Sequence, residues 1–164
     1  MYKPDSLRKA LTAASPALRQ NPDRLRVFID EGAINCAGGT SLSFEYAYTL
    51  DVLVTDYAGH PDTLIVPILA WLRRHQPDLL LNPDRMRDGF TFEADLLNNQ
   101  TADISIKIKL TERVRVSTSP DGKTRKAEHL PEPVTDPLDF VEHWTLYVLG
   151  EKVAEWDHRP EDVL

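Results

Sequence analysis

Residues 43–74 read SFEYAYTLDVLVTDYAGHPDTLIVPILAWLRR, and the other segments make sense as partners for the first half of this run or as packing under the second. Phe44, Tyr46, Tyr48, Leu50, Val52 and Val54 alternate with Glu45, Ala47, Thr49, Asp51 and Thr55, the pattern of a half-buried strand. Leu53 is the only large apolar residue on the polar side. Asp56, Gly59 and His60 supply a turn, and Asp62 or Thr63 can cap a helix whose Leu64, Ile65, Ile68, Leu69 and Leu72 share one side. With Thr63 as the cap, Pro67 falls in the first turn or just past it, where amide hydrogens are mostly unpaired and a proline costs little. Arg73, Arg74 and His75 suit the negative end of the helix dipole, and Pro77 stops the run.

Upstream, Asp5 can cap a helix with an apolar stripe of Leu7, Ala10, Leu11 and Ala14. Ser15-Pro16 starts a short second helix, Asn21-Pro22-Asp23 turns, and Leu25, Val27 and Ile29 mark a strand that closes or bulges at Glu31-Gly32. Cys36 to Thr40 is then a flexible connection. Downstream, Asp78–Leu81 with Asn82-Pro83-Asp84 reads as a short capped turn laying three leucines on the core. Phe90, Phe92, Ala94 and Leu96 predict a third strand, Asn98-Asn99-Gln100 a turn, and Ile104, Ile106, Ile108, Leu110, Val114 and Val116 a fourth strand, whose other side carries Ser105, Lys107, Lys109, Arg113 and Arg115.

Ser119-Pro120-Asp121-Gly122 turns at the tip of a basic arm, and Pro131, Pro133 and Pro137 mark a linker. Trp144, Leu146 and Val148, then Leu149-Gly150-Glu151-Lys152, then Val153 and Trp156, suggest a terminal hairpin with two projecting tryptophans. A helix from Leu138 through His143 is the alternative for its first half. The pattern predicts an α+β fold: a mixed, mainly antiparallel sheet of four to six strands with helices on one face. It divides the chain into a core domain over 1–126, a proline-rich linker over 127–139 and a C-terminal hairpin or docking segment over 140–164.

At 164 residues the chain can bury a core without staples. Its single cysteine, Cys36, excludes an intrachain disulfide and reads as a small core or loop residue in a protein assembled in a reducing cytoplasm. No apolar run suggests a signal peptide or a membrane span. A formal charge of −7 argues against a simple nucleic-acid binder. That charge is uneven: basic residues gather between Lys107 and Lys126, and acidic ones dominate from Glu128 on. The asymmetry is either an ordinary solvated surface or a basic part of one copy meeting the acidic part of the next.

Catalytic signatures are missing, and neither a metal site nor a cofactor is predicted. His60, His75, His129, His143 and His158 are dispersed, and strand alternation accounts for Asp51, Glu93 and Asp95. Gly38-Gly39 is followed by a strand rather than by the helix that a phosphate loop requires, so it reads as a plain connection. An enzyme or small-ligand binder using Gly38-Gly39 beside the acidic strand faces is the alternative reading, and it requires a pocket with convergent titratable groups. The residues singled out for assembly are Arg113, Arg115, Arg125, Lys126, Trp144 and Trp156.

KPDSLRKAL, NPDRLRVFIDEG, SLSFEYAYTLDVLVTDYAG, LIVPILAWLRRHQPDLL, GFTFEADLLNN and DISIKIKLTERVRV, taken in order, resemble the phage tail completion protein R (GpR) family of Peduovirus-type contractile-tailed phages. The resemblance covers Lys3 to Val116. It implies a structural, non-enzymatic virion component with a fold like that of tail terminators. Implied partners are copies of itself in a hexameric ring, tail tube and sheath proteins, and a head-completion or connector protein. DNA is met only in passage through the channel, and no membrane is involved.

Overall fold

A computed structural model describes residues 1–97, 100–133 and 142–158. Helices α1 (Lys3–Ala14) and α2 (Pro16–Gln20) lead through a single 3-10 turn into β1 (Leu25–Cys36) and β2 (Phe44–Tyr57). Helices α3 (Asp62–His75), α4 (Pro77–Leu81) and α5 (Pro83–Gly89) follow, then β3 (Phe90–Leu96), β4 (Ala102–Thr118) and β5 (Arg125–His129). Strands β6 (Glu142–Val148) and β7 (Glu151–His158) end the described chain. The fold is α+β, as the alternation predicts, and every strand pairing among the described residues is antiparallel.

The main sheet runs β1-β2-β4-β3, with β5 also paired to β4. Val114 pairs with Phe44 of β2 and with His129 of β5, while Ile108 pairs with Leu50 of β2 and Phe90 of β3. Strands β3 and β5 therefore occupy successive parts of one edge of the 17-residue β4. Strand β5 runs through residues whose composition reads as linker, because the open edge of β4 offers its unpaired backbone groups a ladder. Residues 98, 99 and 134–141, and with them most of the expected hairpin turn and of the alternative helix, lie outside the described residues.

Leu50, Val52, Val54, Ile104, Ile106, Ile108 and Leu110 are buried on the helix-facing side of the sheet, as the alternation predicts. Helix α3 does not cover them alone, because Leu7, Leu11 and Leu18 of α1 and α2 join the same core. The buried side of α3 is Leu64, Pro67, Ile68, Trp71 and Leu72, while Ile65 and Leu69 are half-buried. Of the three leucines of α4, Leu79 is buried and Leu81 is exposed. Cys36 is exposed at the end of β1.

Two start signals need correction. Helix α1 begins at Lys3 rather than after an Asp5 cap, because the Glu112 carboxylate of β4 accepts the amide hydrogens of Tyr2 and Lys3 at 2.9 and 3.3 Å. A remote carboxylate thus serves the orphan donors that a local cap would satisfy. Helix α3 begins at Asp62 without a side-chain cap; the Thr63 hydroxyl instead donates to His60 O at 2.6 Å and takes a hydrogen bond from Tyr57. Pro67 consequently sits in the second turn, where its missing N–H leaves the Thr63 carbonyl without its helical partner at a cost of ~3 kcal/mol, offset in part by burial of the ring.

Strand β3 departs furthest from expectation. Phe92 and Leu96 are 64% and 83% exposed although they alternate correctly. The strand is the edge of the sheet, beyond the helices that cover its neighbours. Truncating Leu72 to Ala should cost ~2–5 kcal/mol in a urea series, while a loss below ~0.5 kcal/mol, the size of a surface effect, would contradict its burial.

Candidate assembly interface

Between β3 and β5 the edge of β4 is left without a strand partner at Thr111, and side chains fill the gap. The Gln76 Oε1 accepts the Thr111 amide hydrogen at 3.0 Å, and the Lys3 ammonium donates to the Thr111 carbonyl at 2.7 Å. Gln76 Nε2 also donates to the Thr111 hydroxyl at 3.1 Å. Lys3 completes its set with Gln76 Oε1 at 2.7 Å and Glu132 Oε1 at 2.9 Å, so every ammonium hydrogen has an acceptor. Burial pushes the Lys3 ammonium below its ordinary range, against the pull of Glu132, Glu112 and Asp78.

Glu112 is the other half of this network. Besides the α1 amides, it accepts the Tyr48 hydroxyl at 2.5 Å, and His129 Nδ1 lies 3.2 Å from it without the alignment of a hydrogen bond. Burial first, and the Glu112 hydrogen bond second, push the Tyr48 phenol up. The network ties α1, the end of α3, β2, β4 and the chain after β5 into one body. Sequence reasoning missed it. The signal was a glutamate between Leu110 and Val114, at a position where alternation calls for an apolar residue. Replacing Lys3 by Ala strands Glu132 and the Thr111 carbonyl, and should cost ~3–5 kcal/mol in denaturant unfolding.

The residues predicted for assembly do not converge. Arg113 and Arg115 lie on the face of β4 away from the helices, as does Lys126, which pairs in register with Ser117. Arg125, in register with Thr118, is on the opposite face and donates to Gly122 O at 3.2 Å. Arg115 is paired with Glu128 at 2.8 Å, and Arg113 donates to Pro131 O at 3.3 Å with Glu132 at 3.9 Å. Part of the basic-to-acidic complementarity is thus met within one chain.

Strands β6 and β7 form the expected hairpin, in which Trp144 stands opposite Trp156 with the rings stacked at 5.7 Å and 21°. The tryptophans are half-buried and share a face with buried Ala154, and the hairpin packs against α1 and α3. The large apolar side chains it exposes are Tyr147 and Leu149.

A cleft of ≈ 630 Å³ lies beside the network, lined in part by Glu31, Gln76, Asp84, Asp88 and Lys109. Gly38 and Gly39 do not line it; both have positive φ in the β1–β2 connection. Of its charged groups, Lys109 pairs with Asp88 at 2.7 Å and Arg85 with Asp78. Among the described residues no group of His, Cys, Asp and Glu is arranged to hold a metal ion, and no helix is long and apolar enough to cross a membrane.

The family model of the P2 phage tail completion protein R (GpR) matches residues 1–133. The chain belongs to the phage tail completion protein R family. It is 50% identical over 161 residues to the tail completion protein R of Escherichia phage P2, an alignment that covers 96% of this chain and 99% of that one. No solved structure matches it. The family is a structural one of the phage tail and not an enzyme family, and the likeness extends past Val116, through the hairpin. A member of this family works with other tail components in the virion tail, so the surfaces that matter are those that meet protein.

On the solvent face of the hairpin, His143 is held between Asp157 at 2.8 Å and Glu155 at 2.7 Å. These hydrogen bonds, Asp157 foremost, raise its pKa above the ordinary 6.5. Because the folded value is raised, the contribution of His143 to hairpin stability is fully present below 6.5 and is lost as pH rises through the folded value. An NMR titration should place the His143 midpoint above 6.5, and Asp157→Asn should move it down. An unshifted midpoint in both proteins would contradict the arrangement.

Proposed function

We propose that copies of this chain form a ring, six in number by analogy with tail terminators, on the head-proximal end of a finished contractile tail. There the ring caps the tail tube and sheath and offers the surface that a head-completion or connector protein joins. The observation that carries this reading is the 50% identity to the P2 tail completion protein along nearly the whole of both chains. A tail is a stack of rings whose last layer exposes the same adhesive surface on which the next would add, so a different ring must cover it.

In this reading assembly takes place in the host cytoplasm, and DNA meets the ring only in passage, which a net charge of −7 permits. The body over 1–126 and the segment over 140–164 are the two working parts, joined by the proline-rich connection over 127–139, whose first residues are tied back to the body by β5 and by the Lys3–Glu132 pair. Arg113, Arg115 and Lys126 on one face of the sheet, with Arg125 on the other, contribute to the contacts between neighbouring copies, in a heterologous arrangement of the kind that closes into rings. Trp144 and Trp156 serve assembly by holding the hairpin against the body. Deleting the gene from its phage should give filled heads lying apart from tails, or tails of uncontrolled length, by electron microscopy of the lysate. Normal virions at wild-type yield would overturn the proposal.

A further inference from the structure

The connection from β6 to β7 is Leu149-Gly150, with Val148 paired to Glu151 across it. Both turn residues have positive φ, 51° for Leu149 and 85° for Gly150, as a two-residue turn of the primed type requires. Glycine and asparagine take that conformation readily, whereas leucine is strained there. Among the described residues the other non-glycine at positive φ is Asp56, a residue type that tolerates it. Leu149 is also 94% exposed, and Tyr147 beside it is 61% exposed. The leucine therefore raises the energy of the free protein twice, through its backbone and through its hydration, and gains no packing in return.

We propose that Leu149, with Tyr147, is an anchor that inserts into an apolar pocket with a cationic rim on another protein of the tail; this rests on the tail-capping reading above. The hairpin presents it rigidly, because the turn is as short as hairpin turns are and the Trp144–Trp156 face is fixed against α1 and α3. A preorganised apolar tip loses little freedom on binding and is the kind of side chain that dominates an interface. The charge beside the tip selects the partner. Lys152 is taken up by Glu155, which leaves the exposed Glu151 next to Leu149.

The test is in vitro complementation: purified protein is added to heads and tails from a lysate of phage lacking the gene, and infectious particles are counted. Leu149→Asn puts the preferred residue in the turn, so its denaturation midpoint should equal or exceed that of the wild type. Its complementation should fall by roughly tenfold or more, the loss expected for a hot-spot truncation, while Leu149→Met should retain most of it. Opposite signs in stability and activity are something a purely structural residue does not give. A Leu149→Asn protein that complements as well as wild type, or that is destabilised, would overturn this inference alone. Loss of self-association with tail binding intact would overturn the choice of partner. A wild-type protein that fails to complement would instead overturn the tail-capping reading, and this inference with it.

Discussion

The structure depends on how the backbone of Thr111 is satisfied. A long strand that is paired on one side by β2 must find partners for the groups on its other side, and β3 and β5 leave a gap between them. A buried amide and carbonyl left there without partners would cost several kcal/mol. Gln76, from the end of α3, and Lys3, from the start of α1, fill the gap, and in doing so fix where both helices lie on the sheet. The ammonium that does this is itself buried and is balanced by Glu132, so the chain beyond β5 is part of the solution rather than an appendage. Glu112 repeats the device one residue further along, closing the start of α1 and holding Tyr48.

Much of the fold could be read directly from alternation. Strands β1, β2 and β4 and helix α3 stand where period-two and helical patterns put them, because those patterns record burial and burial decides these elements. The failures have physical causes. The start of α1 was misread because its cap comes from Glu112, more than a hundred residues away in sequence. Phe92 and Leu96 alternate as core residues do, yet pattern cannot tell whether a helix lies over a strand. Strand β5 has no apolar signal because backbone pairing and polar contacts such as Arg115–Glu128 hold it. Helix α5 is announced by Asn82-Pro83, whose Asn side chain accepts from the amides of Asp84 and Arg85, but it is too polar to show a stripe.

The assembly residues were harder still. Charge asymmetry along a sequence is not asymmetry over a surface, and here Arg115 and Glu128 are neighbours across a strand pair. Tryptophans next to a proline-rich segment suggest free anchors, whereas these stack on each other and lie against helices. Recognition of the family came from ordered blocks of sequence and not from any site, since a structural tail protein has no chemistry to leave in a motif.

The even positions of β4 from Ile104 to Val114 face the core and the odd positions from Ser105 to Arg115 face away. A shift of one residue would exchange the two sets, bringing Lys107, Lys109, Arg113 and Arg115 inward together. Insertions or deletions inside this strand therefore have no graded effect, and descent within the lineage should preserve its length even where its residues drift. The 119–124 tip lies beyond the reach of that constraint, since no core residue depends on its register. Length variation among related chains has room to accumulate there, which makes the tip a natural place for one phage to diverge from another.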